Sequence, residues 1–140
     1  IVRQIKESGI HVIGNYIFGL PDDTMASMEE TLSLAVDLNC EMANFYSAMA
    51  YPGSRLYDLT PPEDLPKSWI GYSQHSYECL PLKTETLSAA EVLAFRDEAF
   101  HSYFKSSPYE KLILDKFGQS TLEHIRKMTA IKLNRKLLDT

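Results

Sequence analysis

The sequence predicts an α/β fold: a parallel strand–helix–strand unit over residues 1–60, a proline-rich connector over 61–86 and a mainly helical extension over 87–140. Three observations carry this expectation. Ile10–Phe18 and Met42–Ala50 are rich in β-branched and aromatic residues, and an amphipathic helical pattern separates them. Pro61, Pro62, Pro66 and Pro81 punctuate the stretch from Thr60 to Thr86. Beyond it, three capping-box spellings announce three helices in succession.

Ile1–Ser8 reads as the last turns of a helix, with Gly9 as its stop. In the strand that follows, His11, Ile13, Asn15 and Ile17 share one face, and Val12, Gly14, Tyr16 and Phe18 share the other. Pro21 ends the strand, and Asp22 or Asp23 can cap the next helix, Thr24 to Leu38. Met25, Met28, Leu32, Ala35 and Leu38 form its apolar stripe. In Met42–Ala50, Asn44, Tyr46 and Ala48 face one way and Phe45, Ser47 and Met49 the other. The short connections make these parallel neighbours joined by a right-handed crossover. A parallel sheet normally has both faces covered, yet each strand carries an asparagine where a plain core would place an aliphatic. Barrel interiors near a substrate tolerate such residues.

Tyr51-Pro52-Gly53-Ser54 is a turn, followed by one helical turn to about Leu59. The connector holds Trp69 and the segment Gly71–Glu78 (GYSQHSYE), which suits an ordinary packed loop or a substrate-facing one. Ser88-Ala-Ala-Glu91 opens the first tail helix, with Leu87 and Val92 placed as a hydrophobic staple, and Leu93, Phe100, Tyr103 and Phe104 supply apolar bulk. Ser107-Pro108-Tyr109-Glu110 opens the second, with Pro108 at the first helical position and Gly118 as its stop. Ser120-Thr-Leu-Glu123 opens the third, which runs through Ile125, Met128, Ile131 and Leu133 to Leu138.

Composition narrows the function classes. With 140 residues, 44% of them hydrophobic, the chain can bury one real core. A net charge of −5 argues against nucleic acid or an anionic membrane surface as partner. Cys40 and Cys79 lie far apart, support neither a zinc site nor a disulfide framework, and fit a reduced, cytoplasmic setting. No apolar run is long enough to span a membrane, and IVRQIKESG has no signal-peptide pattern. The start at Ile1, inside a helical pattern, is expected of a piece of a longer protein.

The stretch GNYIFGLPDDTMASMEET concentrates the candidate chemistry. A strand ending in glycine admits close approach to the backbone, and a helix N-terminus follows with unpaired N–H groups. Asp22 and Asp23 compete for those donors, which favours a neutral or polar ligand over a phosphate. Tyr51–Ser54 falls on the same carboxyl-end rim, where α/β sheets place ligands. Two readings stay open: a ligand edge, or a tight turn that needs Gly and Pro for geometry alone. His11, His75, His101 and His124 are scattered, and neither a nucleophile triad nor a metal motif is present.

GNYIFGLPDDTMASMEETLSLA followed by ANFYSAMAYPGSRLY resembles the last third of a radical S-adenosylmethionine enzyme core. It is most similar to the subgroup with an upstream cobalamin-binding domain, such as anaerobic porphyrin cyclase-like and methyltransferase-like proteins. PKSWIGYSQHSYE and EVLAFRDEAFHSYF are similar to that subgroup's C-terminal extension. The resemblance implies a partial (β/α)6 barrel, with Ile10–Phe18 as the fifth strand and Met42–Ala50 as the sixth. In the family pattern G-x-I-x-G-x-x-E, the isoleucine packs on the adenine of S-adenosylmethionine. Ile17 and Gly19 match that pattern, whereas Asn15 and Asp22 depart from its Gly and Glu. Backbone groups after the sixth strand bind the adenine edge, a role that would fall near Ala48 and Met49.

The family holds a 4Fe–4S cluster through CxxxCxxC, which this sequence lacks, and Cys40 and Cys79 cannot replace it by spacing. The resemblance therefore implies a parent that cleaves S-adenosylmethionine reductively to a 5′-deoxyadenosyl radical, with a small-molecule substrate and cobalamin as a further cofactor. This chain would supply part of the adenine site and be inert alone, and its exposed strand edges would pair it as a homodimer. The alternative is a self-contained α/β binding or protein-interaction module. A third reading, an ordinary α/β enzyme using Asp22 or Asp23 as base, needs a convergent partner that the sequence does not offer.

Overall fold

The computed structural model describes residues 1–139. A short helix, α1 (Val2–Glu7), precedes strand β1 (Ile13–Phe18), helix α2 (Met25–Leu38), strand β2 (Met42–Ser47) and the short α3 (Arg55–Leu59). Two 3-10 turns, Pro62–Asp64 and Trp69–Tyr72, punctuate the connector, and α4 (Ala89–Phe104), α5 (Ser107–Phe117) and α6 (Gln119–Ala130) complete the chain. This is the mixed α/β architecture expected from the sequence, with β1 and β2 parallel and in register from Ile13↔Met42 to Phe18↔Ser47.

Both strands are shorter than their apolar runs. β1 begins at Ile13 rather than Ile10, because the chain first leaves α1 through Gly9, whose φ of +81° suits a glycine. β2 ends at Ser47 rather than Ala50, because Ala48 turns its carbonyl to the connector and accepts from the Leu82 N–H at 2.9 Å.

The sheet has one covered face. Phe18, Ala43 and Phe45 are buried with Met28 and Ala35 of α2 and with Val92, Ala99 and Tyr103 of α4. Rings carry this layer: Phe45 stacks on Tyr16 with centroids 5.4 Å apart and meets Tyr103 edge-on at 5.4 Å. The opposite face is bare, with Ile13 55%, Ile17 49% and Met42 60% exposed, and the Asn44 amide donates to the Asn15 side-chain oxygen across it at 2.9 Å. The alternation read from the sequence thus separates the two faces correctly, and the asparagines lie on the open one.

Helix starts follow local hydrogen bonding, with three departures. α4 forms the expected capping box, Ser88 accepting from the Glu91 N–H and Glu91 accepting from Ser88, and Leu87 and Val92 are both buried in the core. α2 is capped by Thr24 and Ser27 rather than by Asp22 or Asp23. α5 is capped by Ser106 rather than Ser107, since Ser106 holds the extended backbone of a cap (ψ 139°) and accepts from the Tyr109 N–H at 3.4 Å. α6 has no side-chain cap: it starts at Gln119 directly after Gly118, so Ser120 lies inside the first turn. It also ends at Ala130 rather than Leu138, because Arg135 and Leu137 are drawn back onto the connector.

The two edges of the sheet are treated differently. Met42 and Ala48 N–H groups donate to the carbonyls of Val12 and Phe18, so by alternation the peptide groups of Ile13, Asn15 and Ile17 face away from β2. Among the described residues no side chain pairs with them. The outer edge of β2 is instead closed, by Arg96 on the Phe45 carbonyl at 2.8 Å and by Gln74 on both peptide groups of Ser47.

Candidate functional site

A pocket of about 380 Å³ opens at the carboxyl ends of the strands. Its walls come from Ile17 of β1, Leu20 after it, Tyr46 of β2 with the following Ala48 and Met49, and the loop residues Tyr51 and Gln74. Ile17 and Tyr46 are register partners on the bare sheet face, which brings their side chains side by side. The Tyr51–Ser54 turn forms the far lip, and Ser54 accepts from the Tyr57 N–H at 3.2 Å to start α3 and aim Leu56 into the wall. The two rim loops singled out in the sequence therefore meet at one concavity.

Of the four expected cofactor-binding residues, Ile17, Ala48 and Met49 line this pocket. Gly19 lies next to it in sequence but faces inward: it is buried, its φ is +81°, and a Cβ there would collide with Val92 of α4. Gly19 and Leu20 N–H groups donate to the Asp23 carboxylate at 2.9 and 3.0 Å, and Asp23 also accepts from the Ser27 hydroxyl at 2.8 Å. Asp23 is thus the clasp of the strand-to-helix turn rather than a base with a free face.

The polar lining combines side chains, among them Gln74 and Ser47, whose buried hydroxyl has no hydrogen-bond partner among the described residues, with main chain. Ala48 has no group to offer, since its N–H donates to Phe18 and its carbonyl accepts from Leu82. Among the described residues the peptide N–H and C=O of Met49 have no hydrogen-bond partner. Its side chain packs away from the rim, against Cys79, Leu93 and Leu137, so Met49 presents main chain to the pocket. An apolar slot bordered by the unbonded N–H and C=O of Met49, a residue only 6% exposed, can hold a flat heterocycle that offers a donor and an acceptor on one edge.

The cysteines do not suit a metal cluster. Cys40 and Cys79 are fully buried, Cys79 in a cluster with Met49 and Leu93, and burial pushes both thiols up, away from the thiolate that binds iron. Among the described residues no group of three His, Cys, Asp or Glu side chains could hold a metal ion. The histidines stay dispersed: His11 packs its ring on Phe117 and His75 meets Arg96 at 3.3 Å.

Two ionic devices carried no sequence signal. Glu41, 1% exposed at the start of β2, accepts from Lys116 at 2.6 Å and from the Val12 N–H at 3.0 Å. Burial works against its charged form, but those donors outweigh it and hold the carboxyl at about 2. Arg135, also 1% exposed, donates to both oxygens of Asp97, each at 2.8 Å.

The chain is 39% identical over 57 residues to an uncharacterized methyltransferase of Pyrococcus horikoshii. That stretch is 41% of this chain and 12% of the relative, so the chain spans a small part of the protein it matches. No family model matches the chain, and no solved structure matches it.

Proposed function

We propose that the chain supplies part of the adenine site of a radical S-adenosylmethionine enzyme. The observation that carries this reading is the meeting of Ile17, Ala48 and the unpaired main chain of Met49 in one rim pocket. The likeness to a methyltransferase supports a link to S-adenosylmethionine. Ile17 and Tyr46, side by side on one sheet face, would pack on one face of the adenine, and the Met49 N–H and C=O would meet its ring nitrogen and amino group. S-adenosylmethionine, when bound, supplies the sulfonium whose reductive cleavage gives the 5′-deoxyadenosyl radical. The cysteines here do not fit a 4Fe–4S cluster. The subgroup resemblance extends the proposal to a cobalamin-dependent parent.

Calorimetric titration with adenosine tests the reading. One-to-one binding is expected, lost in Ile17→Asp, which puts an unpaired carboxylate on the apolar wall. The same chain incubated with S-adenosylmethionine and a strong reductant is expected to release no 5′-deoxyadenosine. Heat-free titrations of the wild type at millimolar adenosine would reject the site.

The free peptide groups along β1 support self-association through that edge, with β2 already closed by Arg96 and Gln74. Light scattering is expected to show a dimer that Ile13→Lys dissociates. A wild type that stays monomeric at high concentration would reject this pairing.

A further inference from the structure

We propose that Arg135–Leu137 is a strap that positions the rim pocket from behind, an inference that rests on the adenine reading of that pocket. The strap touches the pocket's supports at two independent places. The Arg135 guanidinium donates to the carbonyls of Gln74 and Ser76, both at 3.0 Å, while its other two donors grip Asp97. Leu137 packs on Met49, together with Cys79 and Leu93. Between them, the Lys136 N–H donates to the Tyr77 carbonyl at 2.9 Å.

What the strap holds is the outer edge of β2. The Gln74 side-chain amide accepts from the Ser47 N–H at 3.0 Å and donates to the Ser47 carbonyl at 2.9 Å, pairing with the strand as a peptide group of a third strand would. Asp97, the anchor of Arg135, also accepts from Arg96 at 2.8 Å, and Arg96 donates to the Phe45 carbonyl. Asp97 therefore sits at the centre of a network that satisfies successive outward groups of β2 and ends on the pocket residue Gln74, while Leu137 packs on the cluster that holds Met49.

A network of this kind is a poor way to gain stability alone, because well-packed apolar side chains of similar volume do as well or better. It is a good way to fix a geometry, since a planar guanidinium with four satisfied donors allows one arrangement. Gln74 and the strap are positioning residues: on this account they set where the Met49 main chain and the pocket wall stand, and they do not touch the reacting part of a ligand.

Amide hydrogen exchange and adenosine titration on the 140-residue chain test the strap. Arg135→Lys keeps the charge but loses the fork, Leu137→Ala removes the backing of Met49, and Gln74→Leu cuts the link to Ser47. Arg126→Met, which removes an exposed pair with Glu110, is the control. In the strap and Gln74 variants, exchange at Ser47 is expected to quicken about tenfold relative to core amides such as Tyr103, and adenosine to bind about tenfold more weakly, on the scale of coupling between contacting residues. The control is expected to change neither. Ser47 exchange that is unchanged, or that quickens only in step with Tyr103, would overturn the proposal, because a merely structural strap raises both together. Should the wild type fail to bind adenosine, the adenine reading falls, while Ser47 exchange still decides whether the strap holds the edge.

Discussion

Lys116→Met is expected to destabilise the chain by about 3–5 kcal/mol at neutral pH, the usual cost of stranding one partner of a buried ion pair. Glu41 is 1% exposed, and Lys116 is the cation nearest its carboxylate, at 2.6 Å, with His11 at 3.8 Å. Removing the ammonium leaves the Val12 N–H as the main support of a charge that water cannot reach. The pH dependence separates this mechanism from lost packing. In the wild type the folded carboxyl, at about 2, lies below its ordinary value of 4.5. Its contribution is therefore complete above that ordinary value and is lost as the pH falls through the folded one. In Lys116→Met, loss of the counter-charge raises the folded pKa above that of the wild type, so the gap between variant and wild type should narrow on acidification as Glu41 protonates. Urea denaturation of both proteins across that range measures it. A gap that stays constant with pH would show that only methylene packing was lost.

Gly19→Ala is expected to cost about 2–4 kcal/mol, combining a left-handed backbone that alanine disfavours with overpacking of a filled core. The φ of +81° supplies the first part, and the collision of the new Cβ with Val92 supplies the second. Adding Val92→Ala should relieve the collision and leave the backbone part, giving a coupling of about 1 kcal/mol or more in a double-mutant cycle. If Gly19 serves the approach of a ligand and nothing else, Gly19→Ala will leave the urea midpoint unchanged and alter only adenosine affinity. The outcome bears on how the glycine of the strand-end pattern is read: the fold here already needs it, whatever binds nearby.

The features legible in the sequence were those set by short-range periodicity. Alternation along Ile13–Phe18 and Met42–Ser47 separated a core face, with Phe18 and Phe45, from a bare face with Asn15 and Asn44. The Ser88–Glu91 box and the staple of Leu87 and Val92 were local enough to read directly. Local spelling misled where neighbours compete for one role. Ser106 and Ser107 both precede Pro108, and the extended backbone at Ser106 makes it the cap. Asp23 has the composition of a cap, yet the tight Gly19–Leu20 turn offers it two N–H groups, so Thr24 caps α2.

Long-range pairing left no such trace. Arg135, in the run KLNRKLL, reads as one more basic residue on a helix face, and nothing near it in sequence points to Asp97, which lies 38 residues away. Gln74 stood in a loop segment whose polar and aromatic content suited two readings, and its pairing with Ser47 depends on where the fold brings the β2 edge. The pocket itself was partly legible. Its side chains follow from strand alternation and rim placement, but the free main chain of Met49 appears only once the connector has taken up Ala48.

The most direct test of the proposed adenine site is a nuclear magnetic resonance titration of the isotope-labelled chain with adenosine. Saturable shifts are predicted at Ile17, Tyr46, Ala48 and the Met49 amide, with a smaller response at Gln74 and none along the Lys111–Asp115 face of α5. No shifts at millimolar adenosine, or shifts clustered away from the strand ends, would contradict the account.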